Sequence, residues 1–150
     1  MRFQTQVDID AGADTVWQVL TDVEDWPNWT ASMSSVKRLQ QGPLGVGSTA
    51  RVVQPKLRPA VYTVTECEPG RSFTWQMKAG GVKVRAGHDL EDLGEGRTRM
   101  VLSVEQSGPL SGLINAVFGK RARSYVDMEA AGLKKAAETL KAKGGAQAED

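Results

Sequence analysis

Residues 60–106 read AVYTVTECEPGRSFTWQMKAGGVKVRAGHDLEDLGEGRTRMVLSVEQ, four runs in which apolar and polar side chains tend to alternate. The runs are separated by Pro69-Gly70, Gly80-Gly81 and Gly94-Glu95-Gly96, residues that readily adopt the dihedral angles of tight turns. Short runs of this kind with turn residues between them are typical of an antiparallel meander. The pattern predicts four hairpin-connected strands, over residues 60–68, 71–79, 82–93 and 97–106.

The N-terminal side of this meander is predicted to add three strands and two short helices. Residues 2–10 alternate with a period of two, which indicates a half-buried first strand. Helical spacing of apolar residues then predicts a short helix that has Asp14 in its first turn and that Pro27 ends or kinks. Residues 22–29 are predicted to form a compact second turn or short helix. Two more strands are predicted over residues 36–41 and 48–54.

The C-terminal third of the chain has helical periodicity instead. After residue 108, apolar side chains recur every three or four positions, which predicts one amphipathic helix from about Pro109 to Lys141. Residues 144–150 have the composition of a flexible tail, so the domain is predicted to span residues 1–143. A helix with a broad apolar stripe and a sheet with one dry face cover each other. The expected fold is therefore α+β, a seven-stranded antiparallel sheet wrapped around the long helix with a cavity between them.

Composition and charge exclude several classes of protein. The chain has 150 residues, 40% hydrophobic and 25% charged, as in ordinary globular domains. Nineteen basic and 18 acidic residues give a formal net charge of +1, which argues against nucleic-acid binding. No stretch approaches the roughly 18 apolar residues of a membrane span, so a cytoplasmic protein is expected. Its oligomeric state is expected to be a monomer or a homodimer. Cys67 and His88 are too few for a usual zinc site, and no metal or cofactor is expected.

Three segments together carry a family resemblance. They are Val7-Asp8-Ile9-Asp10 before Asp14-Thr15-Val16-Trp17, residues 21–29, and the hairpin from Glu68 to Trp75. They resemble the polyketide cyclase/dehydrase branch of the SRPBCC superfamily, the START-like or birch-pollen-allergen-like helix-grip proteins, over about residues 2–140. The resemblance implies the helix-grip fold and a cavity. Similar proteins bind lipids, sterols, polyketides or plant hormones, some cyclise or dehydrate polyketides, and some are co-chaperones, so the resemblance leaves the reaction open.

Three functions are therefore compared. The leading hypothesis is binding, transport or sequestration of a small hydrophobic molecule such as a lipid or polyketide between sheet and helix. The second is a polyketide cyclase or dehydrase acting in the same cavity, which requires acid or base groups that converge there. The third is an interaction module that resembles the co-chaperones and uses an exposed apolar surface.

Aromatic, thioether and hydrogen-bonding side chains are the candidates for lining the cavity, since thioethers fill irregular gaps and aromatic rings supply large apolar areas. The ligand-binding candidates are Trp29, Met33, Arg51, Tyr62, Trp75, Met77, His88, Val117 and Tyr125. Packing in the core, or for Arg51 a surface position, is the alternative for these residues. Trp26 is interpreted as a structural residue beside Pro27.

The catalytic candidates are His88, Tyr125 and Arg51. His88 is the only imidazole and shares a predicted strand face with apolar residues, with a packed structural histidine as the alternative. Tyr125 lies in the apolar stripe of the long helix, and Arg51 is the candidate for holding a carbonyl oxygen. The basic run 120–123 is interpreted as a solvated helix face. Its alternative role is to attract an anionic ligand to the mouth of the cavity.

Overall fold

Seven antiparallel strands form one open sheet in the computed structural model, which describes residues 2–148. The strands are β1 (Arg2–Ile9), β2 (Ser35–Arg38), β3 (Thr49–Val53), β4 (Ala60–Glu68), β5 (Ser72–Ala79), β6 (Val82–Gly94) and β7 (Arg97–Ser107). Between β1 and β2 lie helix α1 (Ala13–Thr21) and a 3₁₀ helix (Val23–Asn28). The long C-terminal helix is α2 (Ser111–Ala148).

The strand order is β1-β7-β6-β5-β4-β3-β2, so the chain lays down consecutive hairpins from β2 to β7 and β1 closes the far edge against β7. Every pairing is antiparallel, and the register places Trp75 opposite Ala86 and His88 opposite both Phe73 and Leu102. Because side chains alternate along a strand, these residues share one face. The predicted helix-grip α+β fold is confirmed.

Helix α2 crosses the inner face of the sheet and packs most closely on β1, α1 and β7. Its C-terminal half provides the buried residues Ala130, Leu133 and Ala137, which join the core of the sheet. The ammonium group of Lys134 donates to the backbone oxygen of Asp8 at 2.8 Å. The C-terminal half of α2 is thus anchored to the β1 edge, while its N-terminal half covers the cavity described below.

The limits of α2 differ from the prediction at both ends. The helix begins at Ser111, because Gly108 has a φ of 105° and the Ser111 hydroxyl donates to its oxygen, which places a turn ahead of the helix. It continues beyond Lys141 through two glycines to Ala148. A glycine costs a helix only about 1 kcal/mol relative to alanine, so the pair does not end it. The last two residues of the predicted tail, 149 and 150, lie outside the described residues.

Candidate ligand-binding cavity

A cavity of about 600 Å³ lies between the inner face of the sheet and the N-terminal half of α2. This volume is within the range of about 300–1,000 Å³ that is usual for small-molecule sites. Strands β3 to β7 form its floor, and α2 forms its roof through side chains at helical spacing. These roof residues are Ile114, Phe118, Arg121, Ala122, Tyr125, Val126 and Glu129.

Aromatic rings form the inner wall of the cavity. The ring of Trp75 lies 5.2 Å, centre to centre, from the rings of both Trp26 and Tyr62. Trp26 is fully buried, and its indole nitrogen donates to the Leu20 oxygen at 2.9 Å, which holds the ring in place. Met33 and Met77 also line the cavity and contribute flexible thioethers. The wall offers a large, preformed apolar surface.

His88 lies in this wall on β6. Its ring stacks on Phe73 with the two ring centres 4.2 Å apart, and Nδ1 lies 3.1 Å from the Phe73 oxygen. Burial lowers the pKa of His88 to about 4, and the hydrogen bond to the Phe73 oxygen partly opposes this shift. The imidazole is therefore neutral at pH 7, and the bond to a carbonyl requires the proton on Nδ1. Nε2 is left as a hydrogen-bond acceptor.

Glu129 faces the same end of the cavity from α2. Ser32 donates to Glu129 Oε1 across 3.5 Å, and burial raises the pKa of Glu129 to about 8, an effect that the Ser32 bond partly opposes. Within residues 2–148 no lysine or arginine pairs with it. Burial, and secondarily the charge of Glu129, also raises the pKa of Tyr62. At pH 7 the inner end thus holds a mostly protonated carboxyl group beside neutral rings.

Tyr125 reaches across the cavity from α2 to the loop that joins β3 and β4. Its hydroxyl donates to the backbone oxygen of Pro55. The phenol therefore ties the helix to this loop, and its proton is already committed to a carbonyl.

The mouth of the cavity is basic. Lys56 and Arg58, on the β3–β4 loop, line the cavity and are exposed. Arg121 enters the mouth from α2, where its guanidinium lies 5.8 Å from the centre of the Phe118 ring. No carboxylate among the described residues lies within ion-pair distance of these three groups. The cavity is thus polarised, with cations outside and an acid inside.

Six of the nine predicted ligand-binding residues line this cavity. They are Met33, Tyr62, Trp75, Met77, His88 and Tyr125. The structure also adds residues that the sequence did not point to for the site: Trp26, Lys56, Arg58 and Glu129. Arg121, from the basic run 120–123, lines the cavity as well. The helical spacing of residues 118, 122, 125 and 129 could have indicated Glu129, because it places these four residues on one face of α2.

The other three predicted residues lie away from the cavity. Arg51 is exposed, because its neighbours Ala50 and Val52 take the inner face of β3, and the prediction that it holds a carbonyl oxygen in the cavity is corrected. Val117 is 64% exposed on the outer side of α2, with Leu113 beside it. Trp29 packs behind the inner wall, 5.5 Å from the Trp26 ring and against Gly132.

Among residues 2–148, no group of three or more histidine, cysteine, aspartate or glutamate side chains is arranged to hold a metal ion. In the same part of the chain, no helix has both the length and the apolar composition needed to cross a membrane.

Comparison with solved structures shows many proteins of the same fold. An aromatase/cyclase from Streptomyces sp. R1128 is 18% identical, with a TM-score of 0.70 over 96% of this chain and 98% of that one. A START superfamily protein from Mycobacterium smegmatis is 16% identical, with a TM-score of 0.72 over 93% and 98%. A hypothetical protein from Helicobacter pylori is 16% identical, with a TM-score of 0.77 over 90% and 86%.

The sequence comparisons are more specific about the family. No curated protein matches the chain. The profile of the family described as polyketide cyclase/dehydrase and lipid transport matches residues 1–138 of the 150. The resemblance seen in the sequence is confirmed. The chain belongs to the polyketide cyclase/dehydrase and lipid transport family.

Proposed function

We propose that the protein binds a small, largely apolar molecule in the cavity beneath α2. The observation that carries the proposal is the cavity itself, about 600 Å³ in volume, between an aromatic wall and an apolar helix face. Burial of apolar surface contributes roughly 25 cal/mol per Å². A preformed site gains this energy without ordering a loop first. Carriage or sequestration of the ligand needs no chemical step.

Filling the cavity tests this proposal. Ala86 lies opposite Trp75 on the cavity floor, so Ala86→Trp places an indole in the ligand's space. We expect this variant to bind the neutral apolar dye N-phenyl-1-naphthylamine at least tenfold more weakly than the wild-type protein, measured by fluorescence titration. Val61→Trp is the matched control, since Val61 is 48% exposed and lies outside the cavity lining. Equal dye affinity of Ala86→Trp and wild type, with both proteins folded, would remove the proposal.

A second candidate function is proton transfer on a carbonyl-bearing ligand, as in a cyclase or dehydrase. The observation that favours it is the convergence of Glu129 and His88 on one cavity. A pKa of about 8 for Glu129 lies near the working pH of most enzymes, where a carboxyl group both gives and takes protons effectively. Arg51 has no part in this version, because it lies outside the cavity.

Turnover of a poly-β-ketone by the Glu129→Gln variant tests the enzymatic candidate. Glutamine keeps the shape of the side chain but exchanges no proton, so we expect kcat to fall about 100-fold or more. The wild-type kcat should follow an apparent pKa near 8 that the variant lacks. Turnover that is the same in both proteins at every pH would exclude Glu129 as the acid or base.

A further inference from the structure

The charges around the cavity are separated along its length. The three groups at the mouth, Lys56, Arg58 and Arg121, are cationic and unpaired within the described residues. The opposite end presents Glu129. Arg121 and Glu129 are eight residues apart on α2, which corresponds to about 12 Å at 1.5 Å per residue. A ligand that spans the cavity meets positive charge only where it emerges.

The inner end is unsuitable for an anion. His88 is neutral at pH 7, because burial lowers its pKa, and it offers Nε2 as an acceptor. Glu129 and Tyr62 line this end as neutral acids at pH 7, and neither carries a positive charge that could balance an anion. No lysine or arginine of the described chain lines this end. An acidic head group buried there would lose its hydration without gaining a counter-charge.

We propose that the ligand is a single-chain amphipathic anion that binds tail first and leaves its carboxylate or phosphate at the mouth, between Lys56, Arg58 and Arg121. This inference rests on the proposed binding function and adds the chemical class and the orientation of the ligand. The guanidinium forks of Arg58 and Arg121 match the paired oxygens of either head group. The apolar tail then runs inward from the mouth to the aromatic wall, over the roughly 12 Å of α2 between Arg121 and Glu129.

Four probes with the same twelve-carbon tail separate the head-group contribution from the contribution of the tail. They are dodecanoate, dodecyl phosphate, dodecanol and dodecylamine, each titrated at pH 7 by displacement of N-phenyl-1-naphthylamine. We expect the two anions to bind about tenfold more tightly than dodecanol, since three partly exposed ion pairs of ordinary strength multiply to that factor. The amine should bind most weakly. The better of the two anions identifies the head group as carboxylate or phosphate.

Removal of the mouth cations supplies the second measurement. In the triple variant Lys56→Ala, Arg58→Ala, Arg121→Ala, the affinity for the anions should fall about tenfold, to that for dodecanol, while dodecanol itself is unaffected. The matched control replaces three exposed lysines outside the cavity, Lys37, Lys135 and Lys143, with alanine. It changes the net charge equally and should keep the preference for anions. In the wild-type protein, 1 M salt should reduce that preference, since exposed charges are screened.

The outcomes distinguish this proposal from the one on which it rests. Equal binding of dodecanoate, dodecyl phosphate and dodecanol, or preference for the amine, overturns the anionic ligand and leaves a binding cavity in place. An equal loss of anion preference in the triple variant and its control overturns the specific role of the mouth. Failure of the neutral dye and all four probes to bind removes the binding function itself.

Discussion

Replacement of Glu129 with glutamine is expected to raise the free energy of unfolding at pH 9 by roughly 5 kcal/mol and to leave it nearly unchanged at pH 4. The pKa of Glu129 rises from 4.5 to about 8 on folding, chiefly because the side chain is desolvated. Each pKa unit corresponds to about 1.4 kcal/mol. Between pH 4.5 and 8 the unfolded chain releases this proton while the folded chain retains it, so wild-type stability falls as the pH rises. Glutamine has no proton to lose and removes that slope.

His88 acts in the opposite direction over a lower pH range. Its pKa falls from 6.5 to about 4 on folding, because burial disfavours the charged ring. Between pH 6.5 and 4 the unfolded chain takes up a proton that the folded chain does not, so stability is lost as the pH falls. In the wild-type protein the two slopes offset one another from about pH 4.5 to 6.5. Stability then declines above pH 6.5, where Glu129 is the one of these two groups that still titrates.

Guanidinium unfolding at intervals from pH 4 to pH 9 measures both effects. The free energy of unfolding of Glu129→Gln should rise up to about pH 6.5 and then level off. That of the wild-type protein should fall above pH 6.5. Glu105→Gln is the control, since Glu105 is an exposed carboxylate on β7 and its replacement should shift the curve by no more than a few tenths of a kcal/mol. Parallel curves for wild type and Glu129→Gln across the whole range would contradict the desolvated position of Glu129.

The sequence predicted the sheet well because its signals are local. The turn pairs Pro69-Gly70 and Gly80-Gly81 separate the strands, and alternation placed His88 on the inner face, where the structure has it. The prediction that Arg51 lines the cavity was wrong, because alternation determines only which residues share a face. Which face is the inner one depends on the pairing of β3 with β2 and β4. The local pattern around Arg51 did not contain that information.

The helix side of the site was harder to predict. An apolar stripe at spacings of three and four is several residues wide, and Val117 lies on the edge of it that faces solvent. Glu129 was missed because a lone glutamate is ordinarily an exposed residue. Its burial depends on the distance between α2 and the sheet. That distance is set by contacts between residues that are far apart in the sequence. One such contact is between Gly132 and Trp29.

Substitution of Gly132 with alanine is expected to lower the stability of the protein by roughly 2–3 kcal/mol, the cost of overpacking a tight contact. A Cβ atom at Gly132 would lie 2.0 Å from the backbone oxygen of Trp29 and 3.0 Å from its carbonyl carbon. Backbone atoms cannot rotate away as a side chain does, so either α2 or the segment after the 3₁₀ helix moves. For a chain of this size the melting temperature should fall by about 5–10 °C.

Gly112→Ala is the matched control for this change, because it lies in the same helix and a Cβ there meets nothing within 4 Å. It should be neutral or stabilise by up to about 1 kcal/mol, since alanine is the better helix former. The same intrinsic gain applies at Gly132, so a net loss there measures the contact with Trp29. Because that contact sets the distance of α2 from the aromatic wall, Gly132→Ala should also weaken binding of the neutral dye. A melting temperature that rises equally in both variants would show that α2 does not approach Trp29 so closely.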